Sequence, residues 1–337
     1  MRRCRTIGVG SVLVFACTIL SANTGPAHPG DAIAVIAAKI LNFHVGDTTT
    51  RFGRLEFVGG LELQAEAGGF GGFSGLRLDR DRVHFVAVTD RCKVLDGILV
   101  RDITGAVHDV SNVQLRPLPP GPNGKAVSKS GFADCEALEM SGAQAFVGFE
   151  YNSKIARFDV GPDGSFNNFA SVSPRPGVGP MVVNRGIEAI AIFPQTSQFA
   201  GSFIAIAEET FNANGNHRAF IIGAADVQEL AIEQRDGFAV TDADFLPNGD
   251  LVILERRFGL QVSPGVRIRQ ISAAQLVPAA TAGGQIIMEA SLSNRIDNME
   301  GIDASVDATG QIYLTLISDN NFNYFQSNLL LEFKLLQ

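Results

Sequence analysis

The chain has 337 residues, 46% of them hydrophobic, with 27 basic and 35 acidic side chains and a formal net charge of -8. So acidic a chain is a poor candidate for nucleic-acid binding, which requires a basic surface, whereas it suits a hard cation such as Ca²⁺. The hydrophobic fraction is sufficient for one large domain or two ordinary ones.

The first residues predict a secretory signal peptide over 1–27. Three arginines lie within 1–5, an apolar run covers 7–20, and small residues follow at Ala22 and Ala27. The apolar run is too short for a comfortable membrane span, so we expect an exported protein, secreted or periplasmic, with no stable span. An uncleaved anchor is the alternative. Cleavage removes the three arginines and no acids, which takes the formal charge from -8 to -11.

The mature region shows little helical periodicity and many short apolar segments separated by turn residues. Its clearest hairpins cover 76–90, 156–169, 244–255 and 302–319. Their turns read GPDG, LPNGD and DATG, and such residues tolerate the positive φ of tight hairpins. The sequence therefore predicts an all-β protein.

A motif recurs along the chain at intervals of 62, 52, 56 and 56 residues. Its anchor positions are Ser74, Glu136, Glu188, Asp244 and Glu300. A sixth unit can be placed at 43–63 by subtraction. Repeats of about 50 residues, each with four strands, are typical of a β-propeller. We therefore expect a six-bladed propeller domain over 55–337, with 28–54 joining the first or closing blade. A pair of β-sandwiches would leave the intervals unexplained.

Each unit carries a second acidic position at the end of its next strand. These positions are Asp90, Glu150, Glu208 or Glu209, Glu255 and Asp319. Inner strands line the channel of a propeller, so the anchor carboxylates would converge and repel one another. Such a cluster requires protons, paired arginines or a bound cation. Calcium suits an all-oxygen set, and the scattered histidines argue against zinc. Capping of backbone amides is the alternative.

Basic residues accompany the acids along the chain. They are Arg91, Lys154, Arg185 and the pair Arg256 and Arg257. At the same end of the propeller they would hold an anionic oxygen of a substrate, and inter-blade salt bridges are the alternative. Cys92 and Cys135 remain after cleavage, either as a disulfide or as two buried thiols.

Five segments together resemble the phytase-like domain family, which is described by an esterase-like activity. They read GGFSGLRLD with VAVTDR, DCEAL, NRGIEAI, DADFLPNGDLVILERRF, and DNMEGID with LISDNNF, within 55–335. The resemblance implies a β-propeller in an exported protein and, by analogy with calcium-dependent propeller phytases, hydrolysis of an ester or phosphoester. Two units have Glu-Ala where the family has Glu-Gly, and the first has Ser74 in place of an acid.

The leading hypothesis is a calcium-dependent hydrolase of a small anionic phosphate or carboxylic ester. Water made more acidic by the metal would be the nucleophile, with a strand-end carboxylate as general base. The expected metal ligands are Glu136, Glu188, Asp244, Glu300 and Asp319. The expected catalytic acids are Asp90, Glu209 and Glu255, and the expected substrate contacts are Arg91, Lys154, Arg185 and Arg256. A lactonase and a non-enzymatic binding propeller with a structural channel cation are the alternatives.

Overall fold

The computed structural model describes residues 32–121, 124–127, 132, 134–150, 153–173, 186–223, 226–258 and 263–336. The predicted signal peptide over 1–27 lies outside these residues, and so does Arg185. Within the described segments, no helix has the length and apolar character needed to cross a membrane.

The described residues form 23 β-strands in five sheets, which are the blades of a propeller. The N-terminal strands are β1 (Ile36–Ile40), β2 (Arg51–Phe52) and β3 (Leu55–Gln64). Blade one contains β4 (Phe73–Leu78), β5 (His84–Thr89), β6 (Lys93–Arg101) and β7 (Val107–Pro117). Blade two contains β8 (Cys135–Ser141), β9 (Gln144–Phe149), β10 (Lys154–Val160) and β11 (Phe166–Ser173).

The second half of the chain builds the other three blades. Blade three contains β12 (Ile187–Ile192), β13 (Phe203–Phe211), β14 (His217–Ile222) and β15 (Val227–Ile232), with β19 (Thr281–Ala282) parallel to β15. Blade four contains β16 (Ala239–Phe245), β17 (Leu251–Arg257), β18 (Gly265–Ile271) and β20 (Gln285–Ser291), and a short 3-10 turn lies at Ala273–Gln275. Blade five contains β21 (Asn298–Val306), β22 (Ile312–Asp319) and β23 (Asn328–Leu335).

The first strand of each blade lines the central channel. The inner strands β4, β8, β12, β16 and β21 each contact the next one in this order, and β21 contacts β4. The ring is therefore closed, and a residue at the same level of each inner strand faces the same axis.

The prediction of a propeller is confirmed, but six blades is wrong, because the structure has five. The residues assigned to a sixth blade, 43–63, belong to the closing sheet. The last repeat contributes three strands to its blade, β21, β22 and β23. Strand β3 pairs antiparallel with β23 and becomes the fourth strand of blade five. Pairing of the first and last parts of the chain removes an exposed sheet edge.

Tight hairpin turns form where the sequence predicts them. In the turn between β21 and β22, Asp307 Oδ1 accepts hydrogen bonds from the backbone nitrogens of Thr309 at 2.9 Å and Gln311 at 3.0 Å. Gly310 follows with φ of +86°. A side-chain acceptor and a glycine with positive φ are the usual means of reversing a chain in so few residues.

Apolar side chains of adjacent blades pack against each other and hold the ring together. Between blades five and four, Leu316 and Phe333 pack with Val252 and Ile268. Equivalent cores fill the other four blade interfaces. Each blade buries both of its faces only in the ring, so the propeller is one folding unit.

Candidate active site

All five inner strands begin at the same end of the channel, and we name this end the mouth. Every inner strand contains a β-bulge near the mouth. The pairing register shifts at Gly75, Glu136, Glu188, Thr241 and Glu300. A bulge leaves one residue out of the ladder and redirects its side chain. In blades two, three and five that residue is a glutamate. Glu136 and Glu300 are both close enough to Glu188 to raise its pKa by like-charge repulsion, in addition to the effect of burial.

Arg77 closes the channel below the mouth. It lies two residues after the blade-one bulge, and its guanidinium contacts the inner strand of every other blade. The contacted atoms are Glu139 Oε2 at 3.5 Å, Ile190 O at 3.0 Å, Ala243 O at 2.9 Å and Ile302 O at 2.9 Å. Asp242 Oδ2 accepts a further hydrogen bond at 3.1 Å. The mouth carboxylates therefore lie on one side of the layer that Arg77 forms across the channel.

The repeat alignment placed Asp244 among the mouth glutamates, and this placement is wrong. Thr241 occupies the bulge of β16, and Asp244 lies three residues further along the strand, where the charge of Arg77 acts on it. The carboxylate of Asp244 accepts hydrogen bonds of 2.7 Å from the backbone nitrogens of Phe245 and Ala304. Asp244 therefore links blade four to blade five instead of lying at the mouth.

Two groups of three carboxylates lie at the mouth and share Glu150. One consists of Asp134, Glu136 and Glu150, and the other of Glu150, Glu188 and Glu208. Within each group, one oxygen of every residue lies within 4.8 Å of the others. Ser74 Oγ donates a hydrogen bond of 2.6 Å to Glu136 Oε2, so the serine that replaces an acid in blade one orients the acid of blade two.

Arg256 connects the third and fifth blades at the mouth. Its Nη2 donates to Glu208 Oε1 at 3.0 Å, and its Nε lies 3.2 Å from Glu300 Oε1. Asn298 Nδ2 also donates to Glu300 Oε1, at 2.6 Å. Glu300 is therefore held by a cation and an amide, whereas the sequence placed it among the metal ligands.

Glu255 does not face the channel, contrary to its predicted catalytic role. It is fully buried and accepts two hydrogen bonds from Arg269, from Nε at 2.7 Å and from Nη2 at 2.6 Å. Successive side chains of a strand point to opposite faces, so Arg256 at the mouth requires Glu255 to point away. The same alternation explains blade three, where Glu208 and not Glu209 belongs to the acid group of the mouth.

Asp90 and Asp319 lie together where blades one and five meet. Burial raises the pKa of both, to about 6 for Asp319, and the charge of Asp90 adds to the Asp319 shift. Asp319 Oδ1 accepts a hydrogen bond of 2.7 Å from the backbone nitrogen of Asn321. Asp90 Oδ1 is buried and has no hydrogen-bond partner in the described structure. This oxygen is therefore able to accept a proton or a ligand.

The predicted substrate cations are engaged with other groups. The guanidinium carbon of Arg91 lies 3.5 Å from the ring centre of Phe322, and Lys154 Nζ lies 4.6 Å from that of Phe132. Arg256 contacts two acids, as described above. Of the four residues, Arg185 is not described. The described three are therefore not arranged around a common anion.

The mouth carboxylates hold protons more tightly than isolated acids do. Burial raises the pKa of Glu150 and of Glu300 to about 7, although Arg256 opposes the shift of Glu300. Burial also raises the pKa of Glu136 and Glu188 well above the usual range. These shifts show that the carboxylates lack enough positive charge to ionise together.

A disulfide joins Cys92 to Cys135, with an S–S distance of 2.06 Å. Cys92 follows Asp90 in the turn after β5, and Cys135 begins the strand that carries Glu136. The disulfide, one of the two alternatives left open by the sequence, therefore fixes blades one and two beside the acids.

Sequence reasoning did not assign Arg77, Asp134, Thr241 or Asn298 to the site. Alignment of the repeats on the bulges would have found the deeper layer, which lies two residues after the bulge in blade one and three residues after it in the other blades. Its residues are Arg77, Glu139, Ala191, Asp244 and Asp303. An arginine at a position that is acidic in three of the other four blades is the available signal. Asp134 and Asn298 each lie two residues before a bulge glutamate, but the other three blades have Phe73, Gly186 and Ala239 at that position, so the repeat gives no comparable signal for them.

The mouth residues fit a calcium ion. The donors are carboxylate oxygens, which hard cations prefer, and Glu150 belongs to both acid groups. Burial raises the pKa of Glu136 and Glu188 although Arg256 lies close enough to act on both, so the positive charge at the mouth is too small for all the acids, and Asp90 Oδ1 is buried without a hydrogen-bond partner. A divalent cation would supply that charge.

Comparison with known proteins adds a family match. A model of the phytase-like family, described as esterase-like activity of phytase, matches residues 68–322. No curated protein matches the chain.

Several solved structures resemble the chain at low identity. They include U3-55K (9% identity, TM-score 0.37, 80% of this chain and 98% of that chain), the WD40 repeats of RRP9 (9%, 0.35, 81% and 74%) and YCF48 bound to D1 peptide (10%, 0.36, 79% and 66%). The chain spans slightly less than two thirds of the YCF48 structure.

Proposed function

The chain belongs to the phytase-like family, and on this premise we propose that it is a calcium-dependent hydrolase of a phosphate or carboxylic ester. The active site is the mouth of the propeller channel. The observation that carries the proposal is the pair of acid groups that share Glu150, each with three carboxylate oxygens within 4.8 Å of one another.

Calcium would be held by the carboxylates of the two groups. They are Asp134, Glu136, Glu150, Glu188 and Glu208. When bound, the ion supplies Lewis acidity that polarises the carbonyl or phosphoryl oxygen of an ester. Arg256 lies 3.0 Å from Glu208 and 3.2 Å from Glu300, so its role in this proposal is to orient these acids.

Asp90 is the proton acceptor in this proposal. Its Oδ1 is buried without a hydrogen-bond partner, so it can accept a proton from a water molecule. The oxygen of that water forms a bond to the acyl carbon or the phosphorus as the bond to the leaving oxygen breaks. The leaving oxygen then takes the proton from Asp90, and the products are an acid and an alcohol.

Export to the periplasm or the exterior is also part of the proposal. The N-terminal 27 residues have the composition of a signal peptide. The disulfide between Cys92 and Cys135 supports an oxidising compartment, because such bonds are rare in the cytosol.

The proposal can be tested with three substrates: a carboxylic ester, a phosphomonoester and a lactone. Each is given to chelator-treated protein with and without added Ca²⁺. We expect turnover of an ester only when calcium is present. The hydrolytic activity of the Asp90→Asn variant should be lower than that of wild type by roughly 10²-fold or more. The activity of Asp81→Asn, at the exposed β4–β5 turn, should equal that of wild type. Full activity after chelation, or preference for the lactone, would contradict the ester proposal. Absence of turnover on every substrate would favour a binding propeller.

A further inference from the structure

Exposed aromatic side chains border the mouth on three consecutive blades. We name Phe211, Phe258, Tyr324 and Phe325 the aromatic rim, and their exposed fractions are 43%, 44%, 101% and 93%. Each lies where the second strand of its blade ends at the mouth or in the loop that follows. Phe211 also contacts the buried ring of His217, with 5.0 Å between the ring centres, but each of the four rings keeps a large exposed area. Exposed apolar groups beside a site often bind ligands.

The loop with two of these rings is fixed to the site. Phe322 stacks on Arg91, which follows Asp90 in the chain. A methyl group on Gly72 would clash with both Asp90 Oδ1 and Phe322 Cε2, so the ring lies beside the proton-accepting carboxylate.

The far end of the same loop is held as well. Asp297 accepts hydrogen bonds from Gln326 Nε2 at 3.1 Å and from the backbone nitrogen of Ser327 at 2.8 Å. Tyr324 and Phe325 are thus exposed on a loop that is anchored at both ends. Little conformational entropy is lost when a ligand packs on an anchored loop.

The charges at the mouth disfavour a highly anionic substrate. The described mouth provides eight carboxylates, including those of Asp90 and Asp319. Arg91 and Lys154 stack on rings, and Arg256 contacts two acids. Recognition of phosphate usually requires several arginines or lysines directed at its oxygens. The described cations of the mouth are thus engaged with rings and acids and are not directed at the oxygens of a phosphate.

We infer that the substrate is a neutral carboxylic ester with an aromatic or similarly planar apolar group. This inference rests on the proposed hydrolase function and specifies its substrate class. The planar group packs on the aromatic rim, and the ester carbonyl lies at the carboxylates of the mouth. The same arrangement of the described residues disfavours a polyphosphorylated substrate, which the family description would suggest.

Four substrates separate charge from ring recognition: phenyl acetate, methyl acetate, phenyl phosphate and inositol hexakisphosphate. With calcium present, we expect the highest kcat/KM for phenyl acetate. In the Tyr324→Ser, Phe325→Ser double variant, KM for phenyl acetate should rise roughly tenfold, because part of the apolar area that the substrate buries against the two rings is lost. Both kcat and KM for methyl acetate should be unchanged. Ile103→Ser is the matched control, because Ile103 is 105% exposed on the turn between β6 and β7 at the opposite end of the channel.

Binding without turnover separates failure of the inference from failure of the function. Phenylacetone has a methylene group in place of the ester oxygen and cannot be hydrolysed, and calorimetry measures its affinity. Weaker binding to the double variant than to wild type and Ile103→Ser supports the inference, even if no ester is turned over. Equal binding to all three proteins, or a higher kcat/KM for phenyl phosphate or inositol hexakisphosphate, would overturn it.

Discussion

Four buried carboxylates surround the guanidinium of Arg77 in the deeper part of the channel. They belong to Glu139, Asp242, Asp244 and Asp303. Burial raises the pKa of Asp242 to about 6, of Asp303 to about 7 and of Glu139 to about 8, and Arg77 opposes each shift. One cation does not neutralise four acids, so this layer retains protons near neutral pH. Arg77 therefore allows the acids of blades two, four and five to lie close to the channel axis.

Replacement of Arg77 by methionine tests this account at the scale of one residue. The variant leaves Asp242 and Glu139 buried without their cation, and loss of one partner of a buried ion pair costs about 3–5 kcal/mol. Chemical denaturation of Arg77→Met and of the exposed control Arg80→Met measures the difference. A loss below about 1 kcal/mol, close to that of a surface ion pair, would show that Arg77 does not hold the ring.

At the scale of structural elements, the mouth is built from bulges and from loops between strands. The bulges set which residue of each inner strand faces the channel, and the turns after the second strands supply Asp90, Glu150 and the aromatic rim. The disulfide between Cys92 and Cys135 connects these two kinds of element, because it joins the turn after β5 to the start of β8. Reduction should therefore affect both stability and the acid group that includes Glu136.

The Cys92→Ala, Cys135→Ala double variant should lose about 4 kcal/mol of unfolding free energy according to the chain-entropy model for a loop of this length. The cysteines are 43 residues apart in sequence. We also expect weaker calcium binding, because Cys135 immediately precedes Glu136. Differential scanning calorimetry with wild type as reference measures the first effect. An unchanged Tm together with unchanged calcium affinity would show that the blade contacts alone position this strand.

For the whole molecule, the excess of buried acids makes stability depend on pH and on cations. Burial raises the pKa of Glu300 from 4.5 to about 7 in the folded protein. The folded state then binds more protons than the unfolded state between these values, so its stability falls as pH rises through this window. For Glu300 alone the loss is roughly 3 kcal/mol, and Glu150 shifts in the same direction.

The Tm of calcium-free protein should therefore decrease from pH 5 to pH 8. Added Ca²⁺ should restore much of the loss at pH 8, because the ion replaces protons at the mouth, and should have little effect at pH 5. Scanning calorimetry at several pH values, with and without chelator, provides the measurement. A calcium-free Tm that rises from pH 5 to pH 8 would mean that the acids ionise freely in the folded state.

The sequence repeat predicted the propeller and three mouth glutamates, Glu136, Glu188 and Glu300. It did not predict the blade number, because the ring is closed by pairing of β3 with β23, which are far apart in sequence. Asp244 was placed incorrectly because a bulge, not spacing, sets the register of β16. Glu209 was chosen over Glu208, and Glu255 was expected at the mouth together with Arg256, because the direction of a side chain in a strand depends on that register.

The central claim is that the mouth carboxylates bind calcium, and titration of Ca²⁺ into chelator-treated protein by calorimetry at pH 8 tests it most directly. We expect a saturable binding heat in wild type, at least tenfold weaker binding in Glu150→Gln, whose carboxylate both acid groups share, and wild-type binding in Glu229→Gln in the outer strand β15. No binding heat in wild type, or equal affinity in Glu150→Gln, would contradict the account.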